Sequence, residues 1–290
     1  MKKIAASELI LNPDGSVYHI KLKPEHIGQD IIIVGDPGRV ERISRHFSKI
    51  EYIIQNREFI THTGYYNSKK ITALATGIGT DNIDIVINEL DALVNIDLDK
   101  RTLKRKHTRL NIVRLGTSGA LQEDIRVDSA VVSSHGLGFD GLLNYYHVNK
   151  GIFSDDISKQ FIKHANWLPQ LPYPYVAKGS EILLNKVGQD HHVGITATAP
   201  GFYGPQGRIL RLNTAIPDLN EKLTSFKYKG HRITNFEMET SALYGLSTLL
   251  EHNAITICAI IANRIRKEYS KDYKKFVDIL IEQLLNRLTV

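Results

Sequence analysis

The feature of the sequence that most constrains its fold is an alternation of short apolar runs with amphipathic segments along the chain. Residues 30–35 (DIIIVG) are short, β-branched and bounded by glycine, which is typical of a buried strand, and residues 35–47 then indicate a turn into a helix. Residues 57–75 predict two strands joined by a turn at Asn67 and Ser68. We predict further strands at residues 110–116, 129–134, 193–198 and 255–262. Residues 81–95 have apolar residues at i, i+3, i+4 and i+7 from Ile83, which predicts an amphipathic helix. We predict further helices at residues 155–165, 217–225, 238–251 and 272–289. Because no linker rich in Pro, Gly or Ser divides the chain, this alternation predicts α/β layers.

The composition excludes several classes of protein. With 290 residues, of which 42% are hydrophobic and 23% charged, the chain is typical of soluble globular proteins and unlike disordered, collagenous or coiled-coil ones. Its longest apolar runs, at residues 31–34 and 257–262, are far shorter than the ~18 residues that suggest a membrane span. The lysines near the start precede an apolar stretch that Ser7, Glu8 and Asn12 interrupt, unlike a signal peptide. We therefore expect a soluble, cytoplasmic protein.

Cysteine and histidine give no sign of a metal centre. Cys258 is the only cysteine, which excludes a disulfide framework or a cysteine-based zinc site within the chain. It lies in the apolar run AITICAIIA, and we expect it in the core. His191 and His192 are adjacent and lack the i, i+4 spacing of helical ligands, so we expect an exposed pair and no bound metal.

The charge balance favours anionic partners. Lys and Arg exceed Asp and Glu by 37 − 31 = 6, which is compatible with nucleic acid, phosphate or phosphorylated metabolites. Many basic residues fall in residues 97–109, between a predicted helix and a predicted strand. We expect this segment to be a solvated surface excursion; contact with an anion or RNA is the alternative.

Three stretches contain residues that could carry chemistry. Residues 35–39 (GDPGR) follow a strand and open a helix, where glycine, backbone amides and an arginine fork can approach an anion. Arg114, near the end of a second strand, is costly to bury unless a carboxylate or a ligand anion pairs with it, and the sequence does not decide between these. Glu237 and Glu239 precede an apolar helix, where they either favour the helix start or hold sugar hydroxyls.

Considered together, these stretches resemble a known family. Seven motifs occur in the order and approximate spacing found in the uridine phosphorylases of the nucleoside phosphorylase superfamily: GDPGR (35–39), NREF (56–59), TGIG (76–79), RLGTSGA (114–120), FYGPQGR (202–208), NFEMETSAL (235–243) and ANR (262–264). The resemblance extends over residues 19–290. It implies one nucleoside phosphorylase domain over residues 1–290, a three-layer α/β/α sandwich whose central mixed sheet is partly barrel-like, with residues 97–109 as a basic insertion. It also implies reversible phosphorolysis of uridine to uracil and ribose 1-phosphate.

The resemblance assigns a phosphate site. By analogy with the family, Gly35, Arg39 and Arg114 would hold inorganic phosphate, and Thr117 would span phosphate and ribose. Arg57 would reach the phosphate of a neighbouring subunit. The expected minimum assembly is therefore a homodimer, and a hexamer built from three dimers is usual for the family.

The resemblance also assigns the ribose contacts. His19 would touch the 5′ end of the ribose across the dimer, the alternative being an ordinary strand histidine. Met238 and Glu239 would line the sugar, with Glu239 accepting hydrogen bonds from its 2′ and 3′ hydroxyls.

The base contacts would select a pyrimidine. Phe202 would pack on the base, while the amide of Gln206 and the guanidinium of Arg208 would match the N3–H and carbonyl oxygens of uracil. Purine-specific members have an aspartate that protonates the leaving base, whereas this chain has Asn263, followed by Arg264. A purine nucleoside phosphorylase or a nucleoside hydrolase of the same superfamily is the alternative.

The reaction implied by the resemblance needs no metal or organic cofactor, because bound phosphate and hydrogen-bond donors can stabilise an oxocarbenium-like ribosyl centre and a departing uracil anion. Some relatives bind a monovalent cation at the dimer interface through a glutamate and a serine. This chain has Glu58 but carries Asn82 in the serine position, so the ion is not assigned. The segment corresponding to the family's mobile lid, residues 265–274, is short.

Overall fold

The computed structural model describes residues 3–148 and 153–290; Met1 and Lys2, which begin the amino-terminal stretch considered above, lie outside these ranges. Fourteen strands occur in the described residues: β1 (Asp30–Val34), β2 (Lys49–Asn56), β3 (Phe59–Tyr66), β4 (Lys69–Ala75), β5 (Ile96–Asp97), β6 (Thr102–Leu103), β7 (Asn111–Ala120), β8 (Ala130–Gly138), β9 (Tyr175–Lys178), β10 (His192–Thr198), β11 (Lys227–Tyr228), β12 (His231–Glu237), β13 (Asn253–Asn263) and β14 (Glu268–Tyr269). Seven α-helices accompany them: α1 (Gly38–Ser44), α2 (Thr80–Asn95), α3 (Asp155–Ala165), α4 (Glu181–Val187), α5 (Leu219–Ser225), α6 (Thr240–Leu249) and α7 (Tyr273–Thr289).

Twelve of the strands form one mixed sheet, in the order β11-β12-β10-β8-β13-β7-β1-β4-β3-β2, with β9 and β14 attached to β8 and β13. An additional antiparallel pairing of β12 with β7, which matches Asn235 with Ala120 and Phe236 with Gly119, closes five strands into a barrel. Strands β1, β4, β7 and β13 run parallel to one another, as do β8, β10 and β12. The predicted α/β fold with a mixed, partly barrel-like sheet is confirmed.

The helices pack against the sheet through their buried apolar side chains. The apolar face of α2 packs into a core with β1, β4, β7, β13, α6 and α7, while α3 and α5 cover a second core on β10 and β12. The five predicted helices from residue 81 onward are all present, with bounds within two residues of the prediction. The sequence did not predict the short helix α4, the strands β2, β9 and β12, or the two-residue strands β5, β6, β11 and β14. No helix in the described ranges combines the length and apolar character needed to cross a membrane.

Several local predictions can be compared directly with the structure. Asn67 and Ser68 join β3 to β4 with φ angles of 48° and 62°, as expected for a tight hairpin turn, and Cys258 is a fully buried core residue. The expectation of an exposed histidine pair at His191 and His192 is wrong, because both are half-buried at the start of β10. In residues 265–274, the segment that the resemblance assigns to the lid, β14 pairs with the end of β13 in a hairpin.

Candidate active site

Two glycine-containing loops meet at the carboxyl ends of the parallel strands β1 and β4. Val34 and Ala75 end these strands side by side, and the N–H of Thr76 donates to the carbonyl of Val34 at 2.8 Å. Gly35 follows β1, and a Cβ atom placed on it would lie 3.4 Å from the carbonyl oxygen of Gly77. Gly77 has a φ of 74°, which glycine adopts without strain. The predicted phosphate loop therefore lies at the edge of the sheet where α/β proteins bind ligands.

Arg39 is a buried cation at this edge. It lies in the first turn of α1, is 6% exposed, and its Nη1 donates to the carbonyl of Leu115 at 2.9 Å. Burial lowers the pKa of Arg39; nearby Asp36 opposes this shift and nearby Arg114 adds to it. A guanidinium that is buried beside a second one, and bonded to a carbonyl, has donors suited to an anionic ligand.

Arg114 on β7 is buried between two carboxylates. Its Nη1 lies 3.2 Å from Glu237 Oε2, and its Nη2 forms a close ion pair with Glu239. Burial by itself would lower the pKa of Arg114, but Glu239 and Glu237 raise it above the ordinary value. The absence of a side chain at Gly116 leaves room for the guanidinium, because a Cβ atom there would collide with it. The carboxylate pairing considered from the sequence is therefore present.

Glu239 and Glu237 have different environments at the start of α6. One oxygen of Glu239 accepts the N–H of Gly79 at 2.9 Å, which ties this carboxylate to the second glycine loop. Glu237 accepts the N–H groups of Glu239 and Thr240, both at 2.9 Å, so it supports the helix start. Burial and the charge of Glu237 raise the pKa of Glu239, while Arg114 opposes that shift.

Met238 and Thr117 lie near this cluster on neighbouring segments. Met238 is half-buried and lies two residues after Phe236, whose partner on β7, Gly119, lies two residues after Thr117. Thr117 is half-buried, and its odd separation from Arg114 would put the two side chains on opposite faces of a regular strand. Its contact with both phosphate and ribose stays a prediction.

The loop after β10 contains the predicted base contacts. Gln206 is 3% exposed, and Nη1 of Arg208 donates to Gln206 Oε1 at 2.5 Å. The guanidinium carbon of Arg208 lies 3.6 Å from the ring centroid of Phe202, which is half-exposed. Burial lowers the pKa of Arg208. The three residues thus form one unit in which the direction of the Gln206 amide is fixed.

Arg264 and Asn220 support this loop, a role that sequence reasoning missed. Nη1 of Arg264 donates to the Gln206 carbonyl at 2.5 Å and to Asn220 Oδ1 at 2.9 Å. Burial lowers the pKa of Arg264 to about 10, and the neighbouring Arg208 adds to this shift. The only sequence signal was the position of Arg264 in the ANR motif.

His19 lies apart from this cluster, whereas the turn that carries Arg57 continues into Glu58, whose side chain lies close to Gly77. The ring of His19 contacts Glu89 on α2, and Glu89 lies ten residues after Gly79, which corresponds to about 15 Å along the helix axis. Arg57 is exposed in the turn between β2 and β3, where its guanidinium lies 5.6 Å from the centroid of the Tyr18 ring. The structure thus brings Arg39, Arg114 and Glu239 together and separates His19 from them.

The basic segment at residues 97–109 is only partly the solvated excursion that was expected. It contains the short β5–β6 hairpin, and several of its cationic side chains donate to backbone carbonyls. Lys104 binds the carbonyl of Leu93 near the end of α2, and Arg109 binds that of Glu251 after α6. These contacts favour a role in stabilising helix ends over one in RNA binding.

One cluster among the described residues resembles a metal site. Candidate ligand atoms of Asp91, His107 and His252 lie within 4.8 Å of one another. However, the N–H of Leu110 donates to His252 Nδ1 at 3.2 Å, so the ring proton belongs on Nε2, which faces Asp91 at 3.2 Å. A metal at Nε2 would require that proton to move to Nδ1, against the N–H of Leu110. The hydrogen bond from Leu110 therefore argues against a metal on His252, whose Nε2 makes no hydrogen bond within the described residues.

Fold and site together define a class of protein: an α/β scaffold with buried arginine and glutamate side chains close to the carboxyl ends of its parallel strands. The family model of the phosphorylase superfamily matches residues 29–289. The chain therefore belongs to this superfamily, and its resemblance to nucleoside phosphorylases is confirmed.

The relatives of this chain include both uridine phosphorylases and purine nucleoside phosphorylases. A uridine phosphorylase of Thermococcus kodakarensis is 30% identical over 280 residues, covering 95% of this chain and 87% of the relative. A crystal structure of a Trypanosoma brucei nucleoside phosphorylase, described as showing uridine phosphorylase activity, superposes with a TM-score of 0.85 at 27% identity, covering 97% and 99% of the two chains. A DeoD-type purine nucleoside phosphorylase of Clostridium perfringens is 29% identical over 253 residues, covering 86% and 88%.

Proposed function

We propose that this protein is a uridine phosphorylase, a pentosyltransferase that reversibly converts uridine and phosphate into uracil and ribose 1-phosphate. The observation that carries the proposal is the pairing of a buried arginine and glutamate cluster, suited to phosphate and ribose, with a fixed Gln206–Arg208 unit suited to uracil. The chain's similarity to uridine phosphorylases over nearly its whole length supports the same substrate.

Phosphate binds beside Arg39 and Arg114 in this proposal. The incoming anion takes donors from both guanidinium groups and pairs with Arg39, because Glu237 and Glu239 both pair with Arg114 instead. Held below C1′, phosphate attacks as the bond from C1′ to N1 breaks, so an oxygen–carbon bond replaces the carbon–nitrogen bond. Positioning of this kind can contribute about 7 to 11 kcal/mol to lowering the barrier.

Ribose and uracil occupy the remaining contacts. Glu239 accepts hydrogen bonds from the sugar hydroxyls, while Met238 lines the ring. Gln206 Oε1 has a second lone pair for the N3–H of uracil, and its Nε2 donates to a carbonyl oxygen. The electron pair of the broken bond leaves with uracil, and Arg208 and the Gln206 amide stabilise its negative charge. Removing one such donor typically costs about 3 to 4 kcal/mol.

A homodimer is the minimum assembly in this proposal, because His19 and Arg57 complete the site of a neighbouring copy. The distance of His19 from Gly79 along α2 supports this, as do the exposed apolar side chains of Tyr18 and Ile78 near these residues. A hexamer, a cytoplasmic location and catalysis without a metal or organic cofactor complete the proposal.

The test is a nucleoside panel assayed with and without phosphate. We expect phosphate-dependent loss of uridine absorbance and little cleavage of inosine or adenosine. Cleavage of uridine without phosphate would indicate a hydrolase, and preferential cleavage of purine nucleosides would overturn the substrate assignment. Absence of turnover for the whole panel would reject the function.

The Arg39→Ala variant should raise the KM for phosphate about 10- to 100-fold, because a charge-assisted hydrogen bond contributes about 1.5 to 3 kcal/mol. Arg232→Ala is the matched control, since Arg232 pairs with Asp124 at the surface. An unchanged KM for phosphate in Arg39→Ala would contradict the assigned phosphate site.

A further inference from the structure

Glu89 on α2 binds the segment that carries His19 through four short contacts. Its carboxylate accepts the N–H of His19 at 2.9 and 3.0 Å and the N–H of Ile20 at 2.8 Å. The same carboxylate lies 2.7 Å from Nδ1 of the His19 ring. The Glu89 side chain is 14% exposed, so solvent competes little for these bonds. Neither the sequence motifs nor the proposed reaction uses this residue.

The contact with Glu89 determines where the His19 ring carries its proton. An ionised carboxylate can only accept hydrogen bonds, so Nδ1 must be the protonated nitrogen. In the neutral ring, Nε2 is then an acceptor that points away from α2. This is the pattern by which a second residue fixes the tautomer and direction of a functional histidine.

The backbone of His19 is held from the other side as well. Asn56, the last residue of β2, donates from Nδ2 to the carbonyl of His19 at 2.8 Å. The Tyr18 ring packs edge-on against the imidazole with centroids 4.8 Å apart. His19 therefore has its N–H, its carbonyl and one ring nitrogen all engaged, and only Nε2 remains to meet a ligand.

We propose that Glu89 is a positioning residue that holds His19 as an Nδ1-protonated acceptor for the 5′-hydroxyl of a nucleoside bound to the neighbouring subunit. This inference rests on the proposed function. It assigns to Glu89 a share in substrate specificity, because a nucleoside that lacks the 5′-hydroxyl offers nothing for Nε2 to accept. The Glu89 carboxylate itself does not touch the substrate.

The test compares uridine with 5′-deoxyuridine in wild type, Glu89→Gln and His19→Ala. The preference for uridine, as a ratio of kcat/KM values, should fall about 3- to 10-fold in Glu89→Gln, the range expected for one hydrogen bond. Adding Glu89→Gln to His19→Ala should change the ratio no further, because the two residues act as a unit. Glu282→Gln, at an exposed position on α7, is the matched control and should keep the wild-type ratio.

Two outcomes would overturn the inference. An equal loss of activity on both substrates in Glu89→Gln would indicate a purely structural role, and an unchanged ratio would show that Glu89 does not position His19. Nitrogen-15 NMR of the His19 ring gives a readout independent of catalysis, in which the Nδ1-protonated form should dominate in wild type and lose population in Glu89→Gln. A wild type that does not cleave uridine would reject the proposed function, whereas an Nε2-protonated neutral ring would reject the positioning role alone.

Discussion

Arg39 and Arg114 are two buried guanidinium groups that lie close together but are neutralised differently. Arg114 has two carboxylates beside it, whereas Arg39 bonds to a backbone carbonyl. Burying two cations side by side is unfavourable without compensation, and the observed carboxylates compensate Arg114 first. An anion that binds both guanidinium groups would supply Arg39 with the negatively charged partner that Glu237 and Glu239 supply to Arg114.

Asn263 occupies the position where purine-specific members of the family have an acidic aspartate, and its contacts explain why replacing it with aspartate should not restore that acid. It is 1% exposed, and its Nδ2 donates to the carbonyls of Gln122 and Ile125 at 2.8 and 2.7 Å. Its Oδ1 accepts the N–H groups of Ile265 and Arg266, both at 2.9 Å. Every polar group of this side chain is therefore used within the protein, in a position that the sequence could identify only as lacking an acid.

We predict that Asn263→Asp lowers the free energy of unfolding by about 1 to 3 kcal/mol, because a carboxylate oxygen would replace an amide donor facing two carbonyls. No purine phosphorolysis should appear. Urea unfolding measures the first effect and an inosine assay the second, with exposed Asn213→Asp as the control. A stable Asn263→Asp variant that cleaves inosine would contradict this account.

At the scale of elements, β12 explains both a missed prediction and the placement of the site. Its last five residues are all buried, yet Thr234, Asn235 and Glu237 among them are polar. Such a strand shows neither apolar alternation nor a continuous apolar run, so periodicity does not reveal it. Buried hydrogen bonds satisfy these groups, as between Asn235 Nδ2 and Ser118 Oγ at 2.8 Å.

A buried histidine in the same sheet, His135, predicts that the stability of the protein depends on pH. His135 on β8 packs edge-on against His231 on β12, with centroids 4.9 Å apart. Burial lowers the pKa of His135 to about 4; His231 and Lys178 add to this shift and Asp156 opposes it. The folded protein therefore resists protonation of His135 that the unfolded chain accepts near pH 6.5.

Because this pKa is depressed in the folded state, its contribution to stability is present above about pH 6.5 and is lost as the pH falls toward 4. The loss should reach about 2 kcal/mol, after allowing for partial solvent screening. Urea unfolding at a series of pH values measures it, and His135→Gln should flatten the curve in this range. An equal loss of stability in wild type and His135→Gln would assign the effect to other groups.

At the scale of the whole molecule, the function proposed above requires a site that is built from more than one copy of the chain. Arg39 and Arg114 lie at the sheet edge, while His19 and Arg57 lie on a surface that includes Tyr18. A symmetric dimer would use each surface twice, giving two equivalent shared sites.

We predict that the Arg39→Ala and Arg57→Ala variants, each impaired alone, recover activity when co-expressed. About a quarter of the sites should be intact, because about half of randomly assembled symmetric dimers are mixed and each mixed dimer has one complete site. In doubly tagged, purified heterodimers about half of the sites should be intact, and phosphate-dependent uridine cleavage measures this recovery. Co-expression of each variant with itself is the control, and heterodimers no more active than these would place Arg57 in the site of its own chain.

Local patterns in the sequence determined seven of the fourteen described strands, six of the seven described α-helices and the family, because apolar periodicity and short motifs are properties of neighbouring residues. The tertiary structure alone decided that Arg114 meets Glu237 and Glu239, that β12 closes the barrel against β7, and that Glu89 holds His19. These pairs are separated by about 70 to 125 residues of chain, so folding of the whole sheet and its helices, rather than any local preference, brings them together.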